Sequence, residues 1–328
     1  MGLNEKFFRS ADEDEPFFNT VLYDGTGSSV TVDAGFAPDL VWLKRRDSGD
    51  ASHTLVDTVR GANSRIFSDT TASELTNGDF SFNSDGTFDT NGVASQSKSG
   101  AKHVAWCFKA GGAAVPNTDG DIPSNVSANV ANGFSIVKYT GTGNADDVGH
   151  GLDSAPDLVI AKNLDSSDSN SNWIAYASPL SGERGIFNGT QSFSASTAHF
   201  RADPDSTVLK LSNNASSNVN RSGDDFIAYC FHSVAGVSKL GSFVGTGQAG
   251  NAQDIGFEPS WIMFKPTAGL SSWYILDVKR NSFDNYLLAN STATEGSLNL
   301  INTTSTGFQF LGSGLNNSGV DILYYAIA

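Results

Sequence analysis

The sequence predicts an all-β protein: three tandem antiparallel β-sandwich modules of jelly-roll type behind a short N-terminal arm. Two observations carry this expectation. Strand-like stretches are short and frequent, and the Gly, Asn and Ser breaks between them come too often for helices of ordinary length. Three sequence blocks also recur three times, in the same order and with the same internal spacing, which marks a copied structural unit.

The first block is a strand that runs into a Gly-Thr-Gly turn: Tyr23-Asp24-Gly25-Thr26-Gly27, Tyr139-Thr140-Gly141-Thr142-Gly143 and Phe243-Val244-Gly245-Thr246-Gly247. The second starts at Pro38, Pro156 and Pro259 and reaches Lys44, Lys162 and Lys265 six residues later. It is apolar almost throughout, as a strand buried on both faces must be. The third block holds Ser99-Gly100, Ser222-Gly223 and Ser318-Gly319, and seven residues past each glycine stand Cys107, Cys230 and Ala326. These blocks divide the chain into a docking arm (1–16), module one (17–112), a linker of small and polar residues (113–132), module two (133–236) and module three (237–328). About a hundred residues per module are enough to bury a core. Trp42, Trp106, Trp173, Trp261 and Trp273 are expected to supply much of it, because aromatics carry the largest area per residue. Gly86 and Gly307 precede Phe88 and Phe308, where the pattern predicts tight turns with positive φ.

Composition excludes several classes of function. Lys and Arg number 20 against 35 Asp and Glu, a net charge of −15, which is the wrong sign for a nucleic-acid or anionic-lipid partner. No uncharged apolar run reaches the length of a membrane span, and no signal peptide is recognisable. The expected course is synthesis in the cytoplasm and release by lysis. Cys107 and Cys230 are expected as buried, reduced core thiols, in a small slot that Ala326 fills in the third copy.

The chemistry-bearing patterns point away from catalysis. Residues 245–250 match G-x-G-x-x-G, but no helix opens there to receive a pyrophosphate. Asp57, Arg60 and Glu74 of module one match Asp277, Arg280 and Glu295 of module three. They can be read as glycosidase carboxylates or as ion pairs and caps at the sandwich rim. The second reading is preferred, because module two has Ala177 in place of the aspartate. His53, His103, His150, His199 and His232 show no metal spacing. The acidic clusters Asp119-Gly120-Asp121, Asp146-Asp147 and Asp224-Asp225 read as solvated loop acids. No catalytic, metal or cofactor site is therefore expected. The recurring Lys44, Lys162 and Lys265 are candidates either for contacts with a surface ligand, such as an anionic glycan, or for contacts between modules.

The runs Gly35-Phe36-Ala37-Pro38-Asp39-Leu40-Val41-Trp42-Leu43-Lys44, Val59-Arg60-Gly61-Ala62-Asn63 and Ala105-Trp106-Cys107-Phe108-Lys109-Ala110-Gly111-Gly112 resemble those of a family of repeat proteins from tailed phages of marine bacteria. These are tail-fibre or virion structural proteins with lectin-like (concanavalin-type) sandwich repeats. The resemblance covers nearly the whole chain apart from residues 1–16, and module two departs from it by lacking the Arg-Gly-Ala-Asn stretch. It implies a non-enzymatic virion component, either a tail fibre or a head fibre or decoration, that contacts the host surface or its glycans. The expected partners are other virion proteins, docked through the arm aromatics Phe7, Phe8, Phe17 and Phe18, and further copies of the chain, with a homotrimer favoured. The alternatives are a carbohydrate-binding or polysaccharide-degrading enzyme on the same scaffold, and an architectural assembly protein without a ligand.

Overall fold

The computed structural model describes residues 16–78, 80–90, 92, 94–168, 171–214 and 218–328. They form an all-β structure in which helix is confined to single short turns such as Ala94–Ser97. Module one contributes β1 (Phe18–Asp24), β2 (Thr31–Asp33), β3 (Leu40–Arg45), β4 (Thr54–Asp57), β5 (Ser81–Phe82), β6 (Thr87–Asp89) and β7 (Lys102–Phe108). Module two spans β8 (Val115–Asn117), β9 (Ser124–Asn129), β10 (Phe134–Thr140), β11 (Asp147–Gly149), β12 (Leu158–Asn163), β13 (Ile174–Ala177), β14 (Glu183–Ile186), β15 (Val208–Lys210) and β16 (Asp225–Phe231). Module three spans β17 (Ser238–Val244), β18 (Ala252–Asp254), β19 (Trp261–Pro266), β20 (Tyr274–Asp277), β21 (Asn285–Leu288), β22 (Gly296–Ser297), β23 (Ile301–Thr304), β24 (Gly307–Phe310) and β25 (Asp321–Ile327).

Each module has a long inner sheet and a small outer one. The inner orders are β1-β7-β3-β4, β14-β13-β12-β16-β10-β9-β8 and β17-β25-β19-β20-β21-β22; the outer ones are β2-β6-β5, β11-β15 and β18-β24-β23. The last strand of each module lies between its first strand and the Pro-led strand, with equivalent register. Leu40 pairs with Phe108 and Phe18 with Phe108; Leu158 and Phe134 pair with Phe231; Trp261 and Ser238 pair with Ile327.

The inner sheets are buried on both faces, and the two faces serve different cores. In β3 and β7, Val41, Leu43, Ala105 and Cys107 point to the outer sheet and pack with Val32, Phe36 and Phe88 into module one's own core. Modules two and three have matching cores of their own. The alternate residues, Leu40, Trp42, Val104, Trp106 and Phe108, point the other way into a single cluster shared with Ile136, Ile160, Trp173 and Tyr229 of module two and Met263, Trp273 and Tyr325 of module three. All five tryptophans belong to this shared cluster, not to the separate module cores that composition suggested. Period-two alternation places each alternate side chain there, and each large one contributes about 1.5–3 kcal/mol by leaving water.

Two other expectations are corrected. Residues 113–132 do not form a linker: β8 and β9 extend module two's inner sheet, with β9 paired antiparallel to β10. The segment also ties back to module one, where the Gly111 amide donates to Ser127 Oγ (2.9 Å) and Asn129 Nδ2 to the Lys109 carbonyl (3.2 Å). Gly86 has the predicted positive φ, +90°, but Gly307 does not. Gly307 lies within β24, where a Cβ would come within 1.9 Å of the Gln253 carbonyl oxygen. Close backbone approach, not turn geometry, requires glycine there.

Candidate functional site

The recurring residues meet at the three module junctions. Lys44 Nζ donates to the Thr292 carbonyl of module three (2.9 Å), Lys162 Nζ to Thr71 of module one (3.2 Å) and Lys265 Nζ to Thr190 of module two (3.2 Å). Each lysine also donates to a carbonyl of its own module, at Ala51, Asn163 and Ser271. Two residues past each lysine, a carbonyl accepts an amide from the same neighbour: Glu295 to Arg46, Glu74 to Leu164 and Phe193 to Thr267. Indoles repeat the pattern, Trp173 Nε1 donating to the Phe67 carbonyl (2.9 Å) and Trp273 Nε1 to that of Ile186 (3.2 Å). Every contact runs from one module to the preceding one, and module one closes onto module three. The modules therefore form a closed ring about a pseudo-threefold axis, the cyclic arrangement of a trimer held within one chain.

All three lysines are fully buried. Of the two roles expected for them, they occupy the inter-module one and are not surface contacts. Burial pulls each ammonium down from its ordinary range to about 8. At the third indole position stands His53, which accepts from Trp42 Nε1 (2.9 Å) and has the Leu288 carbonyl of module three beside it. Burial, reinforced by the nearby Lys44, holds this imidazole well below its usual range and neutral.

The paired carboxylates are also junction residues. Arg60 binds Asp57 (2.6 Å), Glu74 (2.9 Å) and the Leu55 carbonyl (3.1 Å), and Tyr229 of module two donates its hydroxyl to Asp57 (2.8 Å). Arg280 binds Asp277 (2.6 Å), Glu295 (3.2 Å) and the Ile275 carbonyl (2.9 Å), while Trp106 of module one donates to Asp277 (3.0 Å) and stacks beneath the guanidinium. Arg46 of module one adds a bidentate contact to Glu295. Asp57 and Asp277 have no exposed side-chain surface, so neither faces a groove that could receive a substrate. At the remaining junction the same positions hold Ala177, Leu180 and Phe193, all buried in the shared core. There Tyr325, the counterpart of Trp106 and Tyr229, has a buried hydroxyl with no carboxylate to donate to; its polar neighbour is Ser238 of its own module. The sequence showed the loss of the aspartate. It also showed the loss of the Arg60 stretch, but not that the glutamate went with them or that Leu180 and Phe193 took the vacated places, because that requires knowing that the three positions touch.

The remaining candidates are distributed as follows. Phe7 and Phe8 lie outside the described residues. Phe17 and Phe18 are not a free docking patch. Phe17 is buried, and Phe18 packs on Phe108 (4.8 Å between centroids) and Trp261 (5.7 Å), closing one end of the shared core. A groove of about 170 Å³ remains beside them, lined by Pro16, Asn132, Val237 and Ala328. Cys107 and Cys230 are buried, free thiols facing module cores, and burial pushes Cys230 up to about 12. The Gly-Thr-Gly turns close onto the loop before each last strand: Gly25, Gly141 and Gly245 donate to the carbonyls of Ala101, Asp224 and Val320. Among the described residues no His, Cys, Asp and Glu side chains cluster as a metal site would require, and the loop acids are engaged locally, as Asp147 is by Arg201.

Comparison with known families places residues 13–328 in a domain of unknown function, DUF7483, and the chain belongs to that family. No curated protein and no solved structure matches it. No helix among the described residues is long and apolar enough to cross a membrane.

Proposed function

We propose that this DUF7483 chain is a non-enzymatic structural component of a tailed-phage particle, a tail fibre or a head fibre or decoration, that presents its outer modules to the host surface. The observation that carries this reading is the use made of the reactive residues. The repeated lysines, arginines, aspartates and glutamates that could have served chemistry are spent on holding three modules in a ring. Such a ring is a rigid unit with no edge between its modules, and it suits a particle surface. The sequence resemblance to virion repeat proteins supports the same reading.

In this role the ring contacts other virion proteins on one side and leaves its outer sheets available on the other. Threefold packing is already satisfied inside one chain, so trimerisation through the same junction surfaces is not needed to complete the fold. Mass spectrometry and immunogold labelling of purified particles test the assignment. The expected result is stoichiometric presence on the particle, and absence from particles contradicts it.

A further inference from the structure

Module two carries a cavity beside a buried arginine. A solvent-open cavity of about 230 Å³ lies between β14 and the segment that follows it. Ile174 and Ile186 contribute aliphatic surface, Gln191, Ser192, Ser194 and Ser196 contribute amide and hydroxyl groups, and Arg184 and His199 complete the lining. Arg184 is nine-tenths buried. Its guanidinium lies over the Tyr176 ring, 4.9 Å from the centroid, and Nη2 donates to the Phe200 carbonyl (3.3 Å). Nε is buried and has no hydrogen-bond partner.

The nearest carboxylate, Asp203, stands 3.7 Å from Nη2, beyond hydrogen-bond distance, is largely exposed and is hydrogen-bonded with Tyr176. Asp203 thus faces the cation at ion-pair distance without accepting a hydrogen bond from it, and the buried, unpaired Nε–H costs stability unless something accepts from it. His199 is held neutral, its pKa lowered to about 4 by burial; its Nδ1 accepts from the Asn218 amide (3.2 Å), so the imidazole offers the Nε2–H donor to the cavity and no competing charge.

We propose that this cavity binds a single hydroxylated carboxylate, of the class of a sugar-acid residue. One arginine matches one carboxylate. The serine hydroxyls and the glutamine amide match ring hydroxyls, and the isoleucines match the C–H face of a ring. A dianion such as phosphate is a poorer match, because no second cation lines the cavity. The proposal places one site in each chain, in module two. The corresponding position of module one is Arg65, which also has a buried Nε without a hydrogen-bond partner but donates from Nη2 to Asn77 (3.1 Å), and that of module three is the uncharged Tyr286.

The proposal deepens the host-contact part of the reading above, yet it fails separately. A chain present on particles that binds no sugar acid overturns this site alone. The test is calorimetric titration of the full chain with D-glucuronate and, in parallel, D-glucose, with the His199 imidazole signal followed by NMR. The expected outcome is saturable binding of glucuronate at one site per chain, at least tenfold weaker binding of glucose, and a shift of the His199 signal but not of His150. R184Q abolishes binding. Should R184Q fail to fold, S194W at an exposed position fills the cavity and abolishes binding in a folded chain. Absence of saturable binding, equal affinity for both sugars, three sites per chain, or binding that survives S194W overturns the proposal.

Discussion

Two tyrosines at equivalent positions occupy opposite environments. The Tyr229 hydroxyl donates to the buried Asp57 carboxylate, whereas the Tyr325 hydroxyl has no charged acceptor and only Ser238 as a polar neighbour. Hydrogen bonds to charged groups contribute about 1.5–3 kcal/mol. Tyr229→Phe is therefore expected to lower stability by about 1.5–3 kcal/mol, and Tyr325→Phe, which loses at most a neutral contact with Ser238, to change it by less than about 1 kcal/mol, in urea unfolding experiments. Equal effects of the two substitutions contradict this assignment. The buried lysines make a second prediction at this scale. Each releases its proton near pH 8 in the folded chain but near ~10.4 when unfolded. Between those values the unfolded chain binds more protons, so raising the pH through the window stabilises the fold. The thiols of Cys107 and Cys230 pull the other way, because burial raises both. Lys162→Met removes one lysine contribution and leaves the thiols in place, so its stability rises less between pH 8 and pH 10 than that of the parent. Parallel pH profiles for the two proteins contradict it.

At the scale of elements, the two kinds of junction are natural alternatives to each other. Asp57, Arg60 and Glu74 do at one junction what Ala177, Leu180 and Phe193 do at another. Removing one member of a buried ionic group leaves a charge uncompensated and costs about 3–5 kcal/mol, whereas exchanging the whole group for apolar residues is often neutral or stabilising. Asp277→Ala is thus expected to destabilise by about that amount, since it strands the Trp106 N–H and leaves Arg46 and the buried Arg280 to share Glu295 alone. Transplanting Ala, Leu and Phe onto positions 57, 60 and 74, with Tyr229→Phe to remove the stranded donor, is expected to restore most of the stability that Asp57→Ala alone removes. Chemical denaturation of the four proteins checks both expectations. The elements themselves were readable from the sequence. The Pro-led strand was apolar on both faces because both faces are covered, and the Cys/Ala slot was small because it faces a narrow module core. What covers the second face was not readable: a two-sided apolar strand shows that a partner exists but not which one. The same limit hid β8 and β9, whose small and polar residues pair through backbone groups that any sequence carries. It also hid the place of Phe18, whose neighbour Trp261 is far away in sequence.

At the scale of the molecule, the three modules are sequence repeats but not independent bodies. The inner face of module two, with Phe134, Ile136, Leu158, Ile160, Trp173, Tyr229 and Phe231, is covered only because modules one and three stand opposite it. An excised chain of residues 113–236, which keeps β8 and β9 on the sheet, is expected to expose this face, to bind hydrophobic dyes and to aggregate. The most direct test of the shared core is urea unfolding of the whole chain followed by two probes: tryptophan fluorescence, which reports the axis where all five indoles lie, and pulse labelling of Cys107 and Cys230, which reports the outer cores of modules one and two. One cooperative transition with coincident midpoints is the predicted result. A thiol that becomes reactive while the tryptophans remain native, or module-by-module steps, contradicts a single ring built on one axis.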